Sequence, residues 1–180
     1  MAENRYLFIV DNPGIDPAQR AQLLRDLRGV LSVLNLRVAS DHIEVVVRST
    51  HVAEAKNKIE EVLGRVREVL DITIEENIGR GDIRRFVDLF NSERFWEAHA
   101  EIEPLWRKNG DVALQALILI CAAFIKIQEG LPDKFVRLAE EARRLLEEAP
   151  PRVGCIDLNR LREDLATSIM SKRPFKIACL

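Results

Sequence analysis

The chain has 180 residues, of which 47% are apolar and 31% charged, and its formal net charge is −2. This length suits one large domain or two small ones. The composition excludes an intrinsically disordered chain, which combines low hydrophobicity with high net charge. The slightly acidic balance also argues against a dedicated nucleic-acid-binding protein, because such domains are usually strongly basic.

The N-terminus reaches a strand-like run at once, without the charged start, apolar stretch and small-residue cleavage site of a secretory signal. The longest apolar run, residues 116–125, is about half of the roughly 20 residues that a membrane helix needs. We therefore expect a cytoplasmic protein that does not contact a membrane.

The first 77 residues alternate between strand and helix patterns. A capped start at Asp16-Pro17 predicts the first helix, because Asp is a good N-cap and Pro suits the first helical position. The predicted strands are 6–10, 33–38, 43–47 and 72–74, and the second predicted helix is 52–67. This order is the ferredoxin-like βαββαβ pattern, an antiparallel four-stranded sheet with two helices on one face.

From residue 78 onward the pattern is helical. Ile78-Gly79-Arg80-Gly81-Asp82 combines two glycines with a new helix cap, which predicts a domain boundary. The predicted helices are 83–91, 94–108, 112–129, 134–148 and 158–170. We therefore predict an α+β protein with a ferredoxin-like segment at 1–77 and an all-helical domain at 78–180.

One helix-rich stretch, residues 86–106, resembles the domain of unknown function 309 family. The matching positions follow a Phe-Asn start, a Glu-Ala-His segment, and then a Glu and a Trp: Phe90, Asn91, Glu97, Ala98, His99, Glu103 and Trp106. The resemblance continues at Gln115 and covers about 82–148. It implies an all-helical domain and implies no activity. Ala100 and Leu119 depart from the family pattern, where an acidic residue and a Gln are frequent.

His99 carries the candidate site. At 100° per residue, His99 shares an apolar stripe with Phe95 and Ile102, whereas Glu97 and Glu101 fall on the opposite face, which we expect to be exposed. Three interpretations stay open: a core histidine bonded to a neighbouring polar group, a small-molecule pocket, or a metal site. The candidate pocket residues are His99, Glu103, Gln115, Asn91 and Trp106.

Arg80, Arg84 and Arg85 form a candidate anion patch near the predicted boundary, for which a solvated helix start is the alternative. Cys121 lies in the apolar run and should pack as a small hydrophobic residue. A bridge between Cys155 and Cys179 stays open, because thermophile cytosols contain disulfides.

No phosphate loop, nucleophile elbow or zinc-protease motif is present in the sequence. We therefore expect a non-enzymatic binding or scaffold protein that forms a homo-oligomer or binds a protein partner. The alternative is a small-molecule enzyme that uses His99 as a general base beside Glu103. We expect no cofactor and no metal, and we rank nucleic-acid binding last.

Overall fold

The computed structural model of the chain describes residues 4–74 and 78–180. The chain divides into two compact units, residues 1–75 with 128–130, and residues 76–127 with 131–180. In the part that is described, no helix is long and apolar enough to cross a membrane.

The N-terminal unit is built on a four-stranded antiparallel sheet. Its strands are β1 (Asn4–Asp11), β2 (Val33–Val38), β3 (His42–Ser49) and β4 (Val66–Asp71). They are arranged in the order β2-β3-β1-β4. The predicted α+β class is confirmed at this level: an antiparallel sheet of four strands, followed by helices.

Two helices cover one face of this sheet. A short 3₁₀ turn, Pro17–Gln19, leads into α1 (Arg20–Arg28), and α2 (Val52–Leu63) follows β3. The predicted cap is present, because the Asp16 carboxylate accepts a hydrogen bond from the Ala18 amide. The core of the unit consists mainly of apolar residues from this sheet face and the two helices, including Phe8, Val10, Ile43, Val45, Leu27, Ala55 and Ile59.

The fourth strand lies earlier than predicted. The sequence suggested a helix to residue 67 and a strand at 72–74, but α2 ends at Leu63 and β4 occupies Val66–Asp71. Gly64 explains the early end, since its φ of +99° is a backbone conformation that favours glycine. Val66 and Val69 then read as strand residues once the helix is known to stop.

The C-terminal unit is mostly helical. Its helices are α3 (Ile83–Asn91), α4 (Phe95–Asn109), α5 (Val112–Gln128), α6 (Pro132–Glu148) and α7 (Leu158–Ser171). The sequence missed a short hairpin before α7, formed by β5 (Arg152–Val153) and β6 (Ile156–Asp157). Strands of two residues carry too little pattern to be detected by alternation.

An aromatic cluster lies at the centre of the helical core. The Phe90 ring lies 5.0 Å from Phe95, 5.8 Å from Phe124 and 5.5 Å from Phe175, centroid to centroid. Phe175 belongs to the C-terminal tail, so the last residues of the chain complete the core. The C-terminal tail is therefore packed against the helical core at Phe175.

A disulfide fastens this tail. Cys155 and Cys179 are bridged, with their Cα atoms 4.8 Å apart. The Leu180 amide also donates to the Cys155 carbonyl at 2.9 Å. Cys121 is buried and unbridged, as predicted, and burial raises the pKa of its thiol.

Removing the bridge should destabilise the helical unit. The bridge closes a loop across a sequence separation of 24 residues, which in the chain-entropy description contributes about 3 kcal/mol. We expect urea unfolding of the wild type to shift to lower urea on addition of reductant. The Cys155→Ser and Cys179→Ser double variant should unfold at that lower concentration whether or not reductant is present. A reductant effect of equal size in the double variant would contradict this assignment.

Candidate functional site

The buried side of α4 differs from the predicted one. Phe95, Ala98 and Ile102 are buried as the apolar stripe requires, but Glu97 and Glu101 are also buried, at 2% and 1% exposure. The expectation that these two carboxylates face solvent is therefore wrong. The buried arc of α4 extends from the apolar stripe toward the carboxylates, and His99 lies at its opposite margin, half-buried.

Glu97 is held by an arginine of the preceding turn. The Nε of Arg94 donates to Glu97 Oε1 at 2.7 Å, and a terminal nitrogen donates to Oε2 at 2.8 Å. This two-point pairing matches the planar guanidinium to the carboxylate. Since a buried carboxylate without a partner is very costly, the pair explains how Glu97 is accommodated inside.

Glu101 organises the segment that precedes α3. Its Oε1 accepts hydrogen bonds from the backbone amides of Arg80 at 3.1 Å and Asp82 at 2.9 Å. Its Oε2 lies 3.0 Å from the Nε of Arg85. The Gly81 amide donates to the Glu101 carbonyl at 2.8 Å. Residues 79–82 are therefore a docked loop, held by one acidic side chain and its backbone.

The docking requires a glycine. A Cβ added to Gly79 would lie 1.8 Å from the Ala100 carbonyl oxygen, far inside contact distance. Pro104 stands four residues after Ala100 in α4 and has no amide hydrogen to donate to that carbonyl. The proline thus leaves a helix carbonyl without its usual donor at the point where the loop approaches.

The candidate pocket residues on α4 and α5 are not joined by hydrogen bonds. Glu103 accepts from Arg107 at 2.8 Å instead of binding His99. Among the described residues, no hydrogen bond links His99 to Glu103 or Gln115, and Gln115 is only partly buried. Burial lowers the pKa of His99, and the nearby Glu103 charge opposes this only in part. The imidazole is therefore neutral near pH 7.

The other two pocket candidates have structural contacts. The Asn91 side chain donates to the Ile177 carbonyl at 2.9 Å and accepts from the Ile177 amide at 2.8 Å. Asn91 thus holds the C-terminal tail in the manner of a strand partner. Trp106 is partly buried and packs against the helical core.

The candidate anion patch is smaller than the sequence suggests. Arg85 is paired with Glu101, so one of the three positive charges of the patch is already balanced. The Arg84 backbone amide donates to the Asp82 carboxylate at 2.8 Å, and Arg84 therefore belongs to the capped first turn of α3. The three arginines are therefore not an uncompensated cluster.

A buried charged cluster in the N-terminal unit was not predicted. Arg37, His42 and Glu44 are 3%, 2% and 0% exposed, and lie on the sheet face opposite α1 and α2. Arg37 pairs with Glu44, and His42 Nδ1 lies 2.8 Å from an Asp41 oxygen. His42 Nε2 lies 3.7 Å from Glu44. The alternation of His42, Glu44 and Val46 along β3 is the signal that marks this face.

The cluster fixes the charges of its members. Burial alone would lower the pKa of His42, but the carboxylates of Glu44 and Asp41 outweigh it and raise this pKa. Burial likewise opposes ionisation of Glu44, but the adjacent Arg37 charge and His42 outweigh it, so the pKa of Glu44 is lowered. The three side chains therefore stabilise one another as an ionic group.

A concave surface of about 500 Å³ lies on α6 beside the end of α5. Three of its lining cations, Lys134, Arg137 and Arg144, form no ion pair with any carboxylate in the described part of the chain. Glu140, also in the lining, is paired with Arg143 at 2.9 Å. We call this surface the α6 groove. No motif distinguishes this groove in the sequence, because runs of Glu and Arg are typical of solvated helix faces.

Metal chemistry has no candidate ligand set in residues 4–74 and 78–180. No three His, Cys, Asp or Glu side chains there are close enough together to hold a metal ion.

Comparison with known proteins supports the resemblance seen in the sequence. Residues 83–138 match the family described as Domain of unknown function (DUF309), within the C-terminal half. No curated protein matches the chain. The match covers α3, α4 and α5, so Glu97, Glu101 and Asn91 all lie inside it.

Replacing two of the arginine-paired glutamates of α4, one at a time, should distinguish the stability contribution of a buried pair from that of an exposed pair. Glu97→Ala removes the buried carboxylate that pairs with Arg94 and should cost about 2–4 kcal/mol. Glu103→Ala breaks a partly exposed pair in the same helix and should cost within about 0.5 kcal/mol. Urea unfolding of both variants measures the contrast. Equal costs would show that burial of Glu97 does not govern its contribution.

The His42 cluster predicts a pH-dependent contribution to stability. Because the pKa of folded His42 is raised, its contribution is fully present below the unfolded pKa of about 6.5 and is lost as pH rises through the folded pKa. The cost of His42→Gln should therefore be larger at about pH 6 than at about pH 9. The groups that face His42 are Asp41 and Glu44.

Urea unfolding followed through NMR signals of β1 and β3 measures this cost within the N-terminal unit. His51→Gln is the matched control, since His51 is exposed at the start of α2. A cost of His42→Gln that stays constant or grows with pH would contradict the predicted ionic state.

Proposed function

We propose that the protein is a non-enzymatic binding or scaffold protein. The observation that carries the proposal is that side chains matching the family pattern make internal contacts. Asn91 binds the Ile177 backbone, and Glu97 binds Arg94. A general acid or base must instead present a titratable group to a reacting molecule in a cleft.

The proposal includes an assembly role, as a homo-oligomer or in complex with a protein partner. The α6 groove supports this part, because its cations Lys134, Arg137 and Arg144 form no ion pair in the described part of the chain. Nucleic acid is a weaker candidate partner, because the net charge is −2 and Arg85 is neutralised by Glu101.

We also infer that the N-terminal unit is ferredoxin-like. The support is its element order β1-α1-β2-β3-α2-β4, its strand order β2-β3-β1-β4, and its antiparallel pairing. The fold hosts many unrelated functions, so it does not by itself select one.

An enzyme that uses His99 is the second candidate. It is favoured by the neutral state of a half-buried imidazole that has no hydrogen-bond partner in the described residues, which is the protonation state of a general base. Glu103 and Gln115 would be its neighbours in such a site. The pairing of Glu103 with Arg107 weighs against this candidate.

Stability measurements distinguish the two candidates. Active-site polar residues often oppose stability, so their replacement often raises the free energy of unfolding. A scaffold predicts that His99→Ala loses about 1 kcal/mol of apolar and ring contact, and that Gln115→Ala stays within about 0.5 kcal/mol. Thermal unfolding of both variants beside the wild type tests this. A gain in stability at His99 would favour the enzyme.

A further inference from the structure

We propose that the α6 groove binds an acidic amphipathic helix of a partner protein. This inference rests on the proposed binding function and names the partner class. Four of the lining charges lie on one stripe of α6, since Lys134, Arg137, Glu141 and Arg144 are separated by three, four and three residues. The stripe runs over eleven residues, which is about 15 Å of helix.

The charges of this stripe lack internal compensation. Lys134 and Arg137 have no carboxylate partner among the described residues, and the Nε of Arg144 donates only to the Glu140 backbone carbonyl at 3.3 Å. Glu141 has no cation partner there either. The stripe therefore presents a fixed sequence of charge signs: plus, plus, minus, plus.

Apolar side chains also line the groove. Val136 and Leu138 are partly buried against the helical core, and at 100° per residue they lie on the two flanks of the charged stripe. A partner that places apolar side chains along one flank and carboxylates opposite the cations would match both kinds of surface. An amphipathic helix does so with residues spaced by three and four.

The lone carboxylate selects a protein over a polyanion. Glu141 lies between two cations on the stripe and would repel a phosphate chain, whereas a partner helix can place a Lys opposite it. The apolar side chains of Val136 and Leu138 have no hydrogen-bond donor for a phosphate chain. The spacing of three, four and three residues is the same in both directions along α6. A partner helix can therefore bind parallel or antiparallel to α6, and the two orientations require the Lys that faces Glu141 at different positions of the partner.

The test uses labelled synthetic peptides and the full chain. One peptide carries the signs minus, minus, plus, minus at the stripe spacing, a second carries the reverse order, and a third scrambles the same residues. Each peptide also carries apolar residues at the positions next to the charged ones, so that they can contact Val136 or Leu138. Fluorescence anisotropy at low salt measures binding of each peptide, because such pairs weaken with ionic strength.

We expect one ordered peptide to bind more tightly than the scrambled one. The variant Lys134→Ala with Arg137→Ala should weaken that binding by about 3- to 10-fold, as expected for two exposed pairs. The matched control is Lys108→Ala with Arg152→Ala, which removes the same two residue types from exposed positions outside the groove. This control should leave binding unchanged.

A charge exchange tests the role of Glu141. Glu141→Lys should weaken binding of the ordered peptide, and replacing the facing peptide Lys by Glu should restore it. Three outcomes overturn the proposal: equal binding of ordered and scrambled peptides, no binding by any peptide at about 1 mM, or tighter binding of polyuridylate than of the ordered peptide by the wild type. These outcomes leave the His99 and Gln115 stability results untouched, so the failure of the groove and the failure of the binding function are distinguishable.

Discussion

The buried carboxylate of Glu101 is the constraint on which the start of the helical unit depends. A carboxylate at 1% exposure is tolerated only where donors surround it. Two donors are the backbone amides of Arg80 and Asp82, in the segment leading into α3. The guanidinium of Arg85, in the first turn of α3, adds a compensating positive charge 3.0 Å from Oε2. Because Asp82 is also the cap of α3, one acidic side chain of α4 fixes where the neighbouring helix begins.

Two neighbouring residues at the end of α3, Phe90 and Asn91, both hold the C-terminal tail. Asn91 supplies both an acceptor and a donor to one backbone position of the tail, while Phe90 packs on Phe175 of that tail. The disulfide then anchors the tail from its other end. Asn91, one of the candidate pocket residues, and Phe90 beside it therefore attach the tail to the helical core.

Sequence patterns predicted the helices well and their facing less well. The helices could be predicted because a helix that buries one face repeats its apolar residues about every 3.6 positions, and this repeat is visible within a short stretch of sequence. The burial of Glu101 depends on amides about twenty positions earlier, and no count of apolar residues on a helical wheel contains that information. The shift of β4 has a local cause, since Gly64 ends α2 and the helix pattern continued past it. The His42 cluster was missed because Arg37 and Glu44 meet only through the pairing of β2 with β3.

Both units place charge inside and compensate it there, which bears on where function lies. Removing one member of a buried pair is costly, but replacing the whole pair by apolar groups is often neutral, so such pairs are weak evidence for stability as their purpose. Their better-attested effect is to fix one arrangement of elements over others, as Glu101 does for the 79–82 loop. Glu97 and Glu101 each have an arginine partner within the helical unit, and this pairing balances their charge. Lys134, Arg137 and Arg144 of the α6 groove have no carboxylate partner in residues 4–74 and 78–180. Such a charge pattern on a rigid helix is what a partner protein can recognise.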